Sequence, residues 1–188
     1  MDDRMTSRII VDQLEGKAAS GNIVTVPTGH TLYSPGAVIQ VVHVTNAVEK
    51  NNSQHGITDN AWQFTGTTAT ITPKFATSKI LITFHQTFFW QTNGGGSNGC
   101  GIRIYRGNTA ITTTNGYAGH YIDTGNASNN RVHSAQDGTH LDSPNTTSPV
   151  TYNLYGRYWT NDWTSLQYQY NDGNDDSPST ITLMEIGG

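Results

Sequence analysis

The sequence is short of charge, of cysteine and of long apolar runs, and each shortage removes a class of protein. Charged residues make up 13% of the 188, with Lys and Arg numbering 10 against 14 Asp and Glu, for a net charge of −4. The basic residues are scattered, so no stripe exists to neutralise phosphates and no nucleic-acid partner is expected. The single cysteine, Cys100, allows no intrachain disulfide, and no CxxC pair is present. No window approaches the roughly 18 apolar residues of a membrane-spanning helix, so no membrane insertion is expected. The opening MDDRMTSRIIVD lacks the charged-then-apolar plan of a signal peptide. That leads us to expect a protein made in a cytoplasm. There is also no capped amphipathic stretch of helical period and no internal repeat.

What is abundant is turn and strand chemistry. Thr, Asn, Ser and Gly supply roughly two residues in five, a composition suited to short strands and many turns. Apolar, β-branched and aromatic runs bounded by Ser-Pro, Thr-Pro or Gly-rich punctuation predict strands over 37–45, 67–72, 79–91, 100–106, 109–114, 117–122, 149–159, 165–170 and 179–186. Many short strands with polar turns and some long connections predict an all-β fold, a jelly-roll-like β-sandwich, over 35–188. Residues 1–34 differ: two short strand patterns flank the connector EGKAASG, with no local core. They are expected to intertwine with copies of themselves.

Side chains alternate across a strand. Ile80, Ile82, Phe84, Phe88 and Trp90 therefore share one face of 79–91, against Leu81, Thr83, His85, Thr87 and Phe89 on the other. Cys100, Ile102 and Ile104 oppose Arg103 and Tyr105, and Tyr152, Leu154 and Tyr158 oppose Tyr155, Arg157 and Trp159. The outer faces are mixed rather than purely polar, which fits subunit packing on the second face. A chain with only 34% hydrophobic residues points the same way, toward a homo-oligomer.

Candidate chemistry is thin. His43 and His85 lie inside strands, where hydrogen-bonded packing is the simpler role, and no HxH or HExxH spacing is present. Asp137, His140 and Asp142 read as a solvated loop. The acidic run 172–176 opens like a calcium loop, but Ser177 and Leu183 stand where the EF-hand glycine and bidentate glutamate belong. A hairpin turn is preferred there and no cofactor is expected. Cys100 begins a strand beside Ile102 and Ile104, so a buried, inert thiol is expected. No nucleophile elbow or phosphate loop occurs, and no enzyme is predicted. Trp163 sits in Asn161-Asp162-Trp163-Thr164, read as a loop between strands. Loop aromatics and polar groups are the better recognition candidates. The predicted ligand- or receptor-binding residues are Asn161, Asp162, Trp163 and Thr164, together with Asn93, Gly95 and Asn98 of the Gly-rich connection.

Several motifs also carry a resemblance. Val11-Asp12-Gln13-Leu14, the run Pro35 to Val42, Ile71-Thr72-Pro73, Ser78 to Ile82, and Ile181 to Gly187 resemble the framework of tail-fibre and virion-fibre proteins of tailed bacteriophages. The resemblance implies a homotrimer located in the virion. Its segment 1–34 would join other virion proteins, and its C-terminal knob would meet a host surface glycan or protein through loops. The expectation is a tail fibre acting as an adhesin. The alternatives are a capsid-decorating head fibre with a structural role and a carbohydrate-binding module. No catalytic residue is implied, because the matching motifs are strand framework.

Overall fold

The structure, a computed structural model, describes residues 34–58, 60–93, 96–113, 116–123, 130–159, 163–171 and 176–188, with Thr28 and Gly173. They belong to the compact unit Tyr33–Gly188, apart from Thr28, which falls in the unit Met1–Leu32. The strand, attachment and trimer expectations placed on 1–34 lie outside the described residues.

The described elements are β1 (Val38–Asn46), β2 (Lys50–Asn51), α1 (Asn52–His55), β3 (Gln63–Ile71), β4 (Lys79–Thr92), β5 (Ser97–Arg106), β6 (Thr109–Ala110), β7 (Tyr117–Asp123), β8 (Asn130–Asp142), β9 (Val150–Trp159), β10 (Trp163–Tyr168) and β11 (Ser179–Ile186). They form two antiparallel sheets. In one, β4 pairs with β8 along one side and with β11 and then β10 along the other, with β1 beyond β11 and β2 beyond β10. The second runs β3-β9-β5, with β6 and β7 sharing the far side of β5. The long strands thus set β1-β11-β4-β8 against β3-β9-β5-β7. That is the strand order of a jelly roll, and the all-β sandwich expected from the sequence is the fold observed.

The core lies between the sheets and uses the faces that alternation assigned. Ile80, Ile82, Phe84, Phe88 and Trp90 of β4 are buried against Ile102 and Ile104 of β5, Tyr152, Leu154 and Tyr158 of β9, and Ile181 and Leu183 of β11. Phe88 meets Tyr158 and Tyr168 edge-on at centroid distances of 5.5 and 5.7 Å, a geometry that adds to area burial. One member of this face is polar. Gln86 is buried where β4 exchanges its partner β11 for β10, and it accepts from Thr67 Oγ1 at 3.0 Å. The Thr87 N–H in the same gap donates to Ser179 Oγ at 3.0 Å. Side chains here supply the bonds that a continuous ladder would have supplied.

Strand β8 departs from the sequence reading. Asp137, His140 and Asp142 do not lie in a solvated loop but in a strand paired with β4 from Thr92↔Asn130 to Ile80↔Asp142. The stretch RVHSAQDGTHLD carries no apolar alternation because β8 lies at the sheet edge. Its strand character comes from its long partner. Gly138 is part of the same fit, since a Cβ there would come within 2.4 Å of the Phe84 ring.

The sandwich has two ends. At one, which we call the Pro73 end, the framework motifs converge. Gly36 N donates to Gly187 O at 2.7 Å and Gly187 N to Ala37 O at 2.9 Å. The fully buried Glu185 carboxylate accepts from Lys74 N at 2.7 Å, Phe75 N at 3.3 Å and Gln40 Nε2 at 2.6 Å. Burial alone would push this carboxyl up, but the hydrogen bonds donated to it outweigh that and hold it below the usual range. Asp142 accepts from Tyr152 OH at 2.7 Å and pairs with Arg106 at 3.0 Å. Burial, then Asp142, pushes the Tyr152 phenol up.

Candidate functional site

At the opposite end, which we call the Asn93 end, strand pairing brings three connections together. Thr92 pairs with both Trp163 and Asn130, Ser97 with Asp123, and Gly99 with Trp159. The connections 93–96, 124–129 and 160–162 therefore leave from neighbouring positions. This sets Thr92 and Trp163, at the described edges of two stretches that the sequence had nominated separately, side by side.

The nominated residues are not equivalent. Asn161, Asp162 and Gly95 lie outside the described residues. Asn93 is exposed. Thr164 is exposed and donates through Oγ1 to Gln91 O at 3.2 Å. Two assignments need correction. Trp163 is not at a loop tip: it opens β10, pairs with Thr92, and packs its partly buried ring against the core. An indole at the end of a core strand gains more from burial than from exposure. Asn98 is fully buried and donates to Gly96 O at 2.9 Å, so it holds the turn rather than facing a partner.

A feature the sequence reading did not assemble lies beside this end, on the outer face of the second sheet. Arg103 from β5 and Arg157 from β9 stand over the Trp62 ring, at 4.6 and 5.9 Å from its centroid, and Arg157 also lies 5.8 Å from the Trp159 ring. Trp159 rests on Gly99 and Gly101, where an added Cβ would come within 2.3 Å of its Nε1 and 3.3 Å of its Cζ3, respectively. The alternate glycines of Gly99-Cys100-Gly101 thus make the floor for an indole from the next strand. Farther along, Tyr105 and Tyr155 lie 4.1 Å apart, Phe64 contacts Tyr155, and Lys50 sits over Phe64. Burial pushes the Lys50 ammonium down, and it donates to Phe64 O. Alternation had placed Arg103, Tyr105, Tyr155, Arg157 and Trp159 on outer faces. The missing step was the β5–β9 register, which no local pattern displays.

The outer face of the first sheet is different. Val41, Met184, Leu81 and Leu141 form one row across β1, β11, β4 and β8, with Val41 56% and Leu141 51% exposed. The row that follows carries His43, whose Nδ1 lies 2.8 Å from Thr182 Oγ1. In the next, His85 Nδ1 lies 2.8 Å from Asp137 Oδ1. Both histidines have protein partners, and among the described residues no group of three ligating side chains could hold a metal. Cys100 is buried, and desolvation pushes its thiol up to about 12, which keeps it protonated and inert. In the calcium-like run, Asp172, Asn174 and Asp175 lie outside the described residues, while Asn171 and Asp176 form a bridge.

These arrangements present donors, rings and an apolar row, all suited to contact. No protein-family model matches the chain, and no curated protein sequence matches it.

Proposed function

We propose that this protein is a virion fibre that attaches a bacteriophage to its host. In this reading it is a homotrimeric tail-fibre adhesin whose knob binds the cell surface without turnover. The observation that carries the reading is the clustering of the strand ends Thr92, Ser97, Asp123, Asn130, Trp159 and Trp163 at the Asn93 end, away from the hydrogen-bonded Pro73 end. A rigid sandwich that collects loops at one end is a common way to present a recognition surface. The apolar row Val41–Met184–Leu81–Leu141 supports association between copies, since an exposed apolar patch of this kind marks a contact surface. Threefold repetition would raise weak contacts to useful avidity.

Imaging of intact particles tests the assignment. Density for the chain at the tail, with adsorption to host cells reduced by Asn93→Ala and Thr164→Ala together, is the expected result. Density on the capsid with unchanged adsorption would overturn it in favour of a decorating head fibre. Absence from any particle would favour a cellular carbohydrate-binding module.

A further inference from the structure

We infer that the Trp62–Arg103–Arg157–Trp159 stack is a binding site for the acidic groups of a surface glycan. The inference rests on the adhesin reading and names the ligand class for a face adjoining the Asn93 end.

Among the described residues no carboxylate pairs with Arg103 or Arg157, whereas Arg106 is paired with Asp142. The two guanidiniums bond neutral acceptors instead: Arg103 Nε donates to Thr113 O at 3.3 Å and Arg157 Nη2 to Asn60 Oδ1 at 3.1 Å. Each keeps further N–H groups beyond those bonds, of which the Arg157 Nε is buried and has no acceptor among the described residues. The chain as a whole is acidic, with net charge −4, so two adjacent arginines with no carboxylate partner among the described residues form a local exception to its charge.

Geometry adds to charge. A guanidinium stacked on an indole keeps its planar edge available for a bidentate carboxylate, sulfate or phosphate, and stacking reduces the ordering cost of that contact. Trp62 lies within 4.6 and 5.9 Å of the two guanidiniums, which holds them close to each other. Tyr121 of β7 pairs with Gly99 and is 62% exposed. Because paired residues share a sheet face, its ring lies on the same face as Trp159, next to the stack. An exposed aromatic ring beside fixed anion donors suits a sugar ring that carries an acid group. A nucleic acid fits poorly, because Lys and Arg number only 10 and are scattered along the sequence.

The test uses the full-length chain on an array of oligosaccharides bearing uronate, sialate, sulfate or phosphate groups, each beside its neutral or esterified counterpart. We expect acidic members to bind at least about tenfold more tightly than their counterparts, with affinity falling as salt rises, as for partly exposed charges. Arg103→Gln with Arg157→Gln should remove that preference, and Tyr121→Ala should weaken binding to the acidic members. Equal binding of acidic and neutral members, no binding to the array, or salt-insensitive binding by the unaltered chain would each overturn the inference. The salt titration needs no variant and so stands even if a substitution unfolds the knob. If adsorption to host cells depends on Asn93 and Thr164 while acidic glycans are ignored, the adhesin reading survives and the stack does not. Particles lacking the chain, together with salt-sensitive acidic-glycan binding, would reverse that outcome.

Discussion

At the Pro73 end of the sandwich, two buried carboxylates tie strands and turns together through short, directional bonds. At the Asn93 end, strand ends meet beside an indole seated on two glycines, and the nominated side chains that are exposed make few bonds. The first arrangement fixes the Gly36–Ala37 stretch, the C-terminal residues and the 72–78 turn in one place. The second leaves polar atoms and aromatic edges facing outward. Glu185 satisfies two backbone N–H groups and Gln40 at once, whereas among the described residues the Thr164 side chain bonds Gln91 O, and Asn93 is exposed. In the proposed reading, stability and recognition are concentrated at opposite ends of the same strands, most plainly on β4, which runs from one end to the other.

The largest expected effect falls on what the ends share. Phe88→Ala should cost about 3–5 kcal/mol in denaturant melts, because the ring is buried against Tyr158 and Tyr168. Phe84→Ala should fall in the same range of about 3–5 kcal/mol, through its contact with Tyr117 and its seat on Gly138. A loss below about 1 kcal/mol in either would show that the inner face of β4 is not the core.

Next comes the Pro73 end. Glu185→Ala should cost about 1–3 kcal/mol, because it strips the carboxylate from the Lys74 and Phe75 N–H groups. The same residue sets an acid dependence. Its folded-state carboxyl titrates below the unfolded one, so its contribution is complete above the unfolded value of about 4.3 and fades as pH falls through the folded value. Melting temperature followed from pH 6 downward should fall in the acidic range, and fall less in Glu185→Gln. Identical acid profiles for the two proteins would remove Glu185 from the account. The smallest effect belongs to the Asn93 end, where Asn93→Ala or Thr164→Ala should shift stability by no more than about 0.5 kcal/mol.

The fold was legible in the sequence wherever alternation was clean. Strands 79–91 and 179–186 were placed almost residue for residue, because Ile, Phe and Leu recur at every second position. β8 was not legible, because an edge strand with both faces partly exposed has no apolar period to read, and its pairing with β4 is a long-range fact. The site shows the same limit. The outer positions of Arg103, Arg157 and Trp159 followed from local alternation, but their meeting over Trp62 required the β5–β9 register. Trp163 was misplaced because Asn161-Asp162 reads as a turn that continues through the tryptophan, whereas β10 begins at that residue.

The measurement that bears most directly on the separation of roles is backbone hydrogen exchange on the full-length chain, with and without purified host envelope polysaccharide. The account predicts slowed exchange at the Asn93 end, in Gln91 to Asn93, Ser97 to Gly99 and Trp163 to Thr164. Exchange should be unchanged in Thr72 to Ser78 and in Glu185 to Gly187. Slowed exchange confined to the Pro73 end, or none at either end, would contradict it.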